Sequence, residues 1–249
     1  MPDHFHGILW VKERLARHVG HVVKAFKTVS EQECRGKGLL PQPGQVSAAA
    51  PAAESNTALW EKGFQDTILL RRGQLKAMVN YIADNPRRLA EKRANPALFT
   101  VVRKQPVTPN RSCQAIGNRY LLDRPLKRQV QISRSISAEV LAEKKAELLY
   151  AAEHGTVLVS PCISPGEKEI ARAALDAELP LIVLVENGFG PHYKPPGRYF
   201  DACASGRLLM LAPFPHHPDK RTITREQCLN LNEWAKAIVE SDTHDARPL

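Results

Sequence analysis

At 249 residues, with 43% hydrophobic and 24% charged residues, the chain can build one large core or two small ones. No apolar run approaches the roughly 20 residues of a membrane span, and no basic segment followed by an apolar one opens the chain, so no membrane role and a cytoplasmic location are expected. A net charge of +9 and a pI near 9.4 favour a polyanionic partner. The five cysteines are scattered and form no C-x-x-C pair, which points away from both a zinc site and a disulfide framework.

His4-Phe5-His6, followed by the apolar run to Val11, reads as a β-strand. Alternation puts His4 and His6 on one face, where two neutral imidazoles can share a divalent ion; the pair alone is weak evidence, and by itself it reads more simply as a strand edge with two half-buried histidines. Lys12 to Thr28 has helical periodicity, with Leu15, Val19, Val22, Val23 and Phe26 as its stripe and a basic flank that is either DNA-facing or solvated. Residues 34–57, rich in Gly, Pro, Ser and Ala, predict a mobile loop. Leu59 to Leu70 predicts a second strand, paired with the first in a small antiparallel sheet.

Gln74 to Arg93 predicts a helix on that sheet, with Pro86 as a kink or restart. Tyr81 and Asn85, four apart, share one face. They read as a nucleophile beside an amide ligand, or as a buried tyrosine and a turn-forming Asn-Pro. Arg87, Arg88, Lys92 and Arg93 follow within a few turns, a cluster suited to backbone phosphate or simply solvated.

MPDHFHGIL, LWEKGFQDTIL and YIADNPRR, in that order, resemble the single-tyrosine HUH transposases, and among them the REP-associated tyrosine transposases. The resemblance covers about residues 1–105. It implies an α+β domain in which His4, His6 and Asn85 hold Mg²⁺ or Mn²⁺ and Tyr81 attacks single-stranded or hairpin DNA. The implied intermediate is a 5′-phosphotyrosine with a free 3′-hydroxyl. A free tyrosine titrates near 10 and is a poor nucleophile at neutral pH, so the ion would have to activate the phosphate. The family carries a strand and a helix ahead of the histidine strand, whereas this chain begins three residues before it, so either a truncated gene or a misplaced start codon is expected.

Residues 100–135 mix strand-like and turn-like pieces, with short strands at Tyr120-Leu121-Leu122 and Val130-Gln131-Ile132 and a domain boundary near 105, dividing 1–105 from 106–249. From Ser137 the pattern turns to α/β alternation. Ser137 caps a helix that Gly155 stops. Val157 to Val159, Leu181 to Val185 and Leu208 to Leu211 are apolar strands. Ser164–Glu167 and Thr224–Gln227 are capping boxes that open helices. Wholly apolar strands separated by helices imply a parallel sheet covered on both faces.

GTVLVSPCISPGEKEI, LPLIVLVENGF and GRLLMLAP resemble the Rossmann-like SLOG and DNA-processing protein A families over roughly residues 110–240. That resemblance implies a three-layer domain binding DNA or a nucleotide-like ligand at the strand ends, through Ser160, Ser164, Gly166 and Glu167. Ser164 and Glu167 also read as pure caps. The overall expectation is an α/β chain acting as a DNA strand transferase, to which a homodimer is open. The alternative is a non-catalytic DNA- or nucleotide-binding protein with a decayed first domain.

Overall fold

Three of the six strands are short apolar runs with no polar face, and such strands persist only when helices cover both sides. In the computed structural model, which describes residues 5–41, 58–191, 193–219 and 222–241, they lie at the centre of one six-stranded sheet. The chain divides into two compact units, Met1–Asn85 and Pro86–Leu249.

The first unit holds α1 (Val19–Gly36) and the start of α2 (Gln74–Ala94). No strand forms among its described residues: 5–18 and 58–73 have neither helix nor strand. The expected small antiparallel sheet is therefore corrected. Two extended segments alone make a marginal ribbon. Their aromatic residues pack instead, Phe5 stacking on Phe26 at 5.2 Å and Trp60 lying 5.8 Å from Phe26. Trp60 donates to Ser30 Oγ at 2.9 Å, and Lys27 Nζ donates to the carbonyl of Glu61 at 2.7 Å. The first helix also starts later than its periodicity suggests, because His18 caps it by accepting from the amide of Gly20. It runs on through Cys34–Gly36, which the composition placed in a loop; residues 42–57 of that loop lie outside the described residues, as does His4. Pro86 does not end α2, yet the division between the units falls at that residue.

The second unit contains the rest of α2, α3 (Pro96–Phe99), the hairpin β1 (Val102–Thr108) and β2 (Arg111–Gly117), a 3₁₀ turn (Arg119–Asp123) and β3 (Lys127–Gln129). Then come α4 (Ala138–Glu153), β4 (Val157–Ser160), α5 (Pro165–Asp176), β5 (Leu181–Leu184), α6 (Arg198–Ala204), β6 (Leu208–Ala212) and α7 (Arg225–Glu240). Sheet order is β1-β2-β6-β5-β4-β3, with β3 to β6 parallel and the hairpin antiparallel on the β6 edge. Residue 105 lies inside β1, so the expected boundary there gives way to the earlier one. Tyr120-Leu121-Leu122 is not a strand but the 3₁₀ turn, capped by Asn118.

Alternation along the strands sorts the core into two halves. Leu158, Leu181, Val183, Leu208 and Met210 pack with Phe99, Leu148, Ile170 and Phe200, on the side of α3 to α6. Val159, Ile182, Leu184, Leu209 and Leu211 pack with Leu231, Ala235 and Ile238 of α7 and with Leu121 and Leu122. This is the expected three-layer α/β arrangement, with an antiparallel hairpin added. Among the described residues no helix is long and apolar enough to cross a membrane.

Candidate functional site

The helical spacing of Tyr81 and Asn85 is realised in α2, and His6 meets them there. The imidazole of His6 lies edge-on to the Tyr81 ring, centroids 5.7 Å apart and planes at 83°. Residues far apart in sequence are thus adjacent although no strand carries the histidine. Tyr81 is 40% exposed. Asn85 is 7% exposed, and its side-chain Nδ2 has no hydrogen-bond partner among the described residues. Buried amides are normally completed by protein, water or ligand.

Metal fit can be judged from the donors present. Among the described residues no three His, Cys, Asp or Glu side chains come together. An ion here would rest on the His6 imidazole and the Asn85 amide oxygen, joined by His4 from outside the described residues. An imidazole nitrogen and an amide oxygen are both donors that a divalent ion such as Mg²⁺ or Mn²⁺ accepts.

The basic cluster of α2 splits in two. Arg87 pairs with Asp201 at 2.7 Å, and Arg88 lies 4.6 Å over the Phe200 ring while donating to the Gly197 carbonyl at 3.3 Å. Both therefore hold α6 and the turn before it. Lys92 and Arg93, in the last turn of α2, are exposed.

At the carboxyl end of β4 the expected ligand residues turn inward. Ser160 is fully buried, and its Oγ accepts from the amide of Cys162 at 3.1 Å. Ser164 caps α5, and Glu167 returns the bond, accepting from the Ser164 amide at 3.1 Å. The same carboxylate accepts from Ile163 at 2.7 Å and from Ile132 at 3.2 Å. Amide groups that could receive an anion at this helix start are thereby taken by a side chain of the chain itself. A Cβ on Gly166 would come within 2.6 Å of Ile132 Cγ2, so that glycine serves packing. Around this loop burial pushes Tyr193, Tyr199 and Cys203 each to about 12, and it raises Cys162 as well.

Two features here have no counterpart among the sequence expectations. Cys162 adopts φ 51°, left-handed backbone rarely used by a side-chain-bearing residue. The loops after β5 and β6 are clamped together, Asn187 bonding both ways with the backbone of His217 and His216 Nδ1 lying 3.0 Å from the Gly188 carbonyl. The His216-His217 pair is the visible signal for the second.

No family model matches the chain, and no curated protein does. Among solved structures it is similar to DNA processing protein A from Helicobacter pylori, a protein described for its single-stranded DNA binding mode. The match has a TM-score of 0.42 and 16% identity, covering 57% of this chain and 66% of that one. The matched part therefore spans less than two thirds of that protein's length.

Proposed function

We propose that the protein binds single-stranded DNA and cuts and rejoins it through Tyr81. The observation that supports this reading is the contact of His6 with Tyr81, one helical turn from the buried Asn85. In the reaction the Tyr81 oxygen attacks a backbone phosphorus, an O–P bond forms, and the 3′ oxygen leaves with a proton as a free hydroxyl. The 5′-phosphotyrosine retains the bond energy, so the reverse attack by a 3′-hydroxyl rejoins the strand without an external nucleotide. A divalent ion, when bound, supplies charge stabilisation at the phosphate. His6 and Asn85, with His4, would hold it. Lys92 and Arg93 neutralise neighbouring phosphates.

Incubation with Mn²⁺ and a hairpin-bearing single strand should give a protein–DNA adduct that survives denaturing electrophoresis. Tyr81→Phe keeps the ring and removes the attacking oxygen, so the adduct should vanish. Wild type that forms no adduct across a panel of hairpins defeats the catalytic part of the proposal.

One observation supports the second reading, a DNA-binding protein without catalysis: residues 5–18 form no strand, so no sheet fixes the histidine motif. DNA binding without any adduct is the result that reading expects.

A further inference from the structure

Charge is spread unevenly over the second unit. Residues 86–136 hold twelve Lys and Arg against two acids, whereas residues 137–249 hold twelve against sixteen. Several of the first twelve are committed to internal bonds: Arg103 donates to the Phe189 carbonyl and Arg128 pairs with Glu147, in addition to Arg87 and Arg88. Arg119 and Arg124 are exposed, on the segment that joins β2 to β3. Those strands lie toward opposite edges of the sheet, so residues 118–126 must pass the starting ends of the strands between them.

This crossing is tied down along its length. Asn118 donates from its backbone to Leu208 at 2.9 Å and from Nδ2 to Gly206 at 2.7 Å. Its Oδ1 accepts from the Tyr120 amide at 3.1 Å. Leu121 and Leu122, each 5% exposed, are rooted in the core, and Lys127 Nζ donates to the carbonyls of Leu122 and Arg124 at 3.0 Å each. The Leu126 carbonyl accepts from Val157 at 2.8 Å. A turn held this firmly leaves Tyr120 75% exposed, with exposed Arg119 next to it in sequence and exposed Arg124 four residues on.

We infer that Tyr120 is a stacking platform for a base of single-stranded DNA, with Arg119 and Arg124 on the flanking phosphates. An exposed aromatic residue and two exposed cations on one short, firmly held turn match the two chemistries of a single strand, a π-face and a phosphate repeat. Duplex bases are stacked on each other and present no free face to it. Asp123, the one acid in the turn, is outnumbered by the two arginines. The site rests on the single-stranded DNA reading above, but not on Tyr81 chemistry.

The test is fluorescence anisotropy of the full chain with a labelled oligo-dT strand. Tyr120→Ala should weaken binding about tenfold, within the range for losing one stacked base, while Tyr120→Phe should bind as wild type. Replacing Arg119 and Arg124 with alanine should reduce the slope of log K against log salt by about 0.7 for each phosphate no longer neutralised. Unchanged melting temperatures would tie these losses to the surface. Tyr120→Ala binding as tightly as wild type overturns the platform alone, leaving DNA binding in place. Polyglutamate competing as well as oligo-dT also overturns it, because charge alone would then explain the patch. Wild type that fails to bind oligo-dT overturns both the platform and the reading it rests on.

Discussion

Arg87 and Arg88 stand beside Lys92 and Arg93 in sequence but have different neighbours, and the neighbours decide their roles. The Arg87–Asp201 pair is about half exposed on both sides and stabilises by less than about 1 kcal/mol. A cation over an aromatic ring contributes a similar amount. Replacing Arg87 and Arg88 with alanine should therefore destabilise the second unit by about 1–2 kcal/mol, read as a lower denaturant midpoint. Replacing Lys92 and Arg93 should leave the midpoint in place and flatten the salt dependence of DNA binding by about 0.7 per phosphate. A flattened slope from the first pair and none from the second would reverse the assignment. The thiols offer a separate check. Burial pushes Cys113 and Cys203 to about 12, so at pH 8 both stay protonated and unreactive. Native protein should label first at Cys34 and Cys228, and the buried thiols should react only on unfolding or as the pH approaches 12.

Single elements differ in how far their sequences specify them. Capping is local, so the boxes at Ser164–Glu167 and Thr224–Gln227 were legible and both form. Thr224→Ala should cost about 1 kcal/mol and lower the melting temperature by roughly 2–4 °C. Strands depend on distant partners. The apolar runs of β4, β5 and β6 were legible because burial on both faces leaves almost no polar residue in them. The two strands expected before residue 71 were not realised, since alternation in a segment says nothing about whether a partner exists to complete its hydrogen bonds. The hairpin of β1 and β2 was unresolved for the converse reason: Pro106 and two register irregularities obscure its period. Gly117 closes that hairpin onto the sheet with φ 107°, and a Cβ there would lie 2.2 Å from the Leu208 carbonyl oxygen. Gly117→Ala should therefore destabilise more than Thr224→Ala, and an equal or smaller loss would show that the backbone shifts freely there. In the candidate site, Tyr81 and Asn85 were legible from helical spacing, whereas the approach of His6 depends on long-range packing that no local pattern encodes. The outward display of Tyr120 was hidden by reading its two leucines as strand residues.

Across the molecule the two units are built to different standards. The second closes a core on both faces of its sheet, with Ala115, Val159, Ile182, Leu209 and Leu231 fully buried. In the first, no described apolar side chain is fully buried, and Phe5, Trp10, Val29 and Ile68 remain more than half exposed. Backbone that is weakly covered opens locally at low cost. Limited proteolysis of the full chain should cut before Pro86 first and leave a resistant fragment from the second unit. Early cuts within β4 to β6 would contradict that order. Tyr81 thus lies on the less firmly packed unit, where a bound strand and ion would add contacts. Mn²⁺ affinity should accordingly rise at least about tenfold when a phosphate-bearing strand is present, because His4, His6 and Asn85 bring no charge of their own. The most direct measurement is mass spectrometry of the tryptic peptide Ala77–Arg87, whose one tyrosine is Tyr81, after reaction with hairpin DNA and nuclease trimming. A nucleotide mass on Tyr81, lost with Tyr81→Phe, is the predicted result; an unmodified peptide from protein that demonstrably bound the DNA would contradict it.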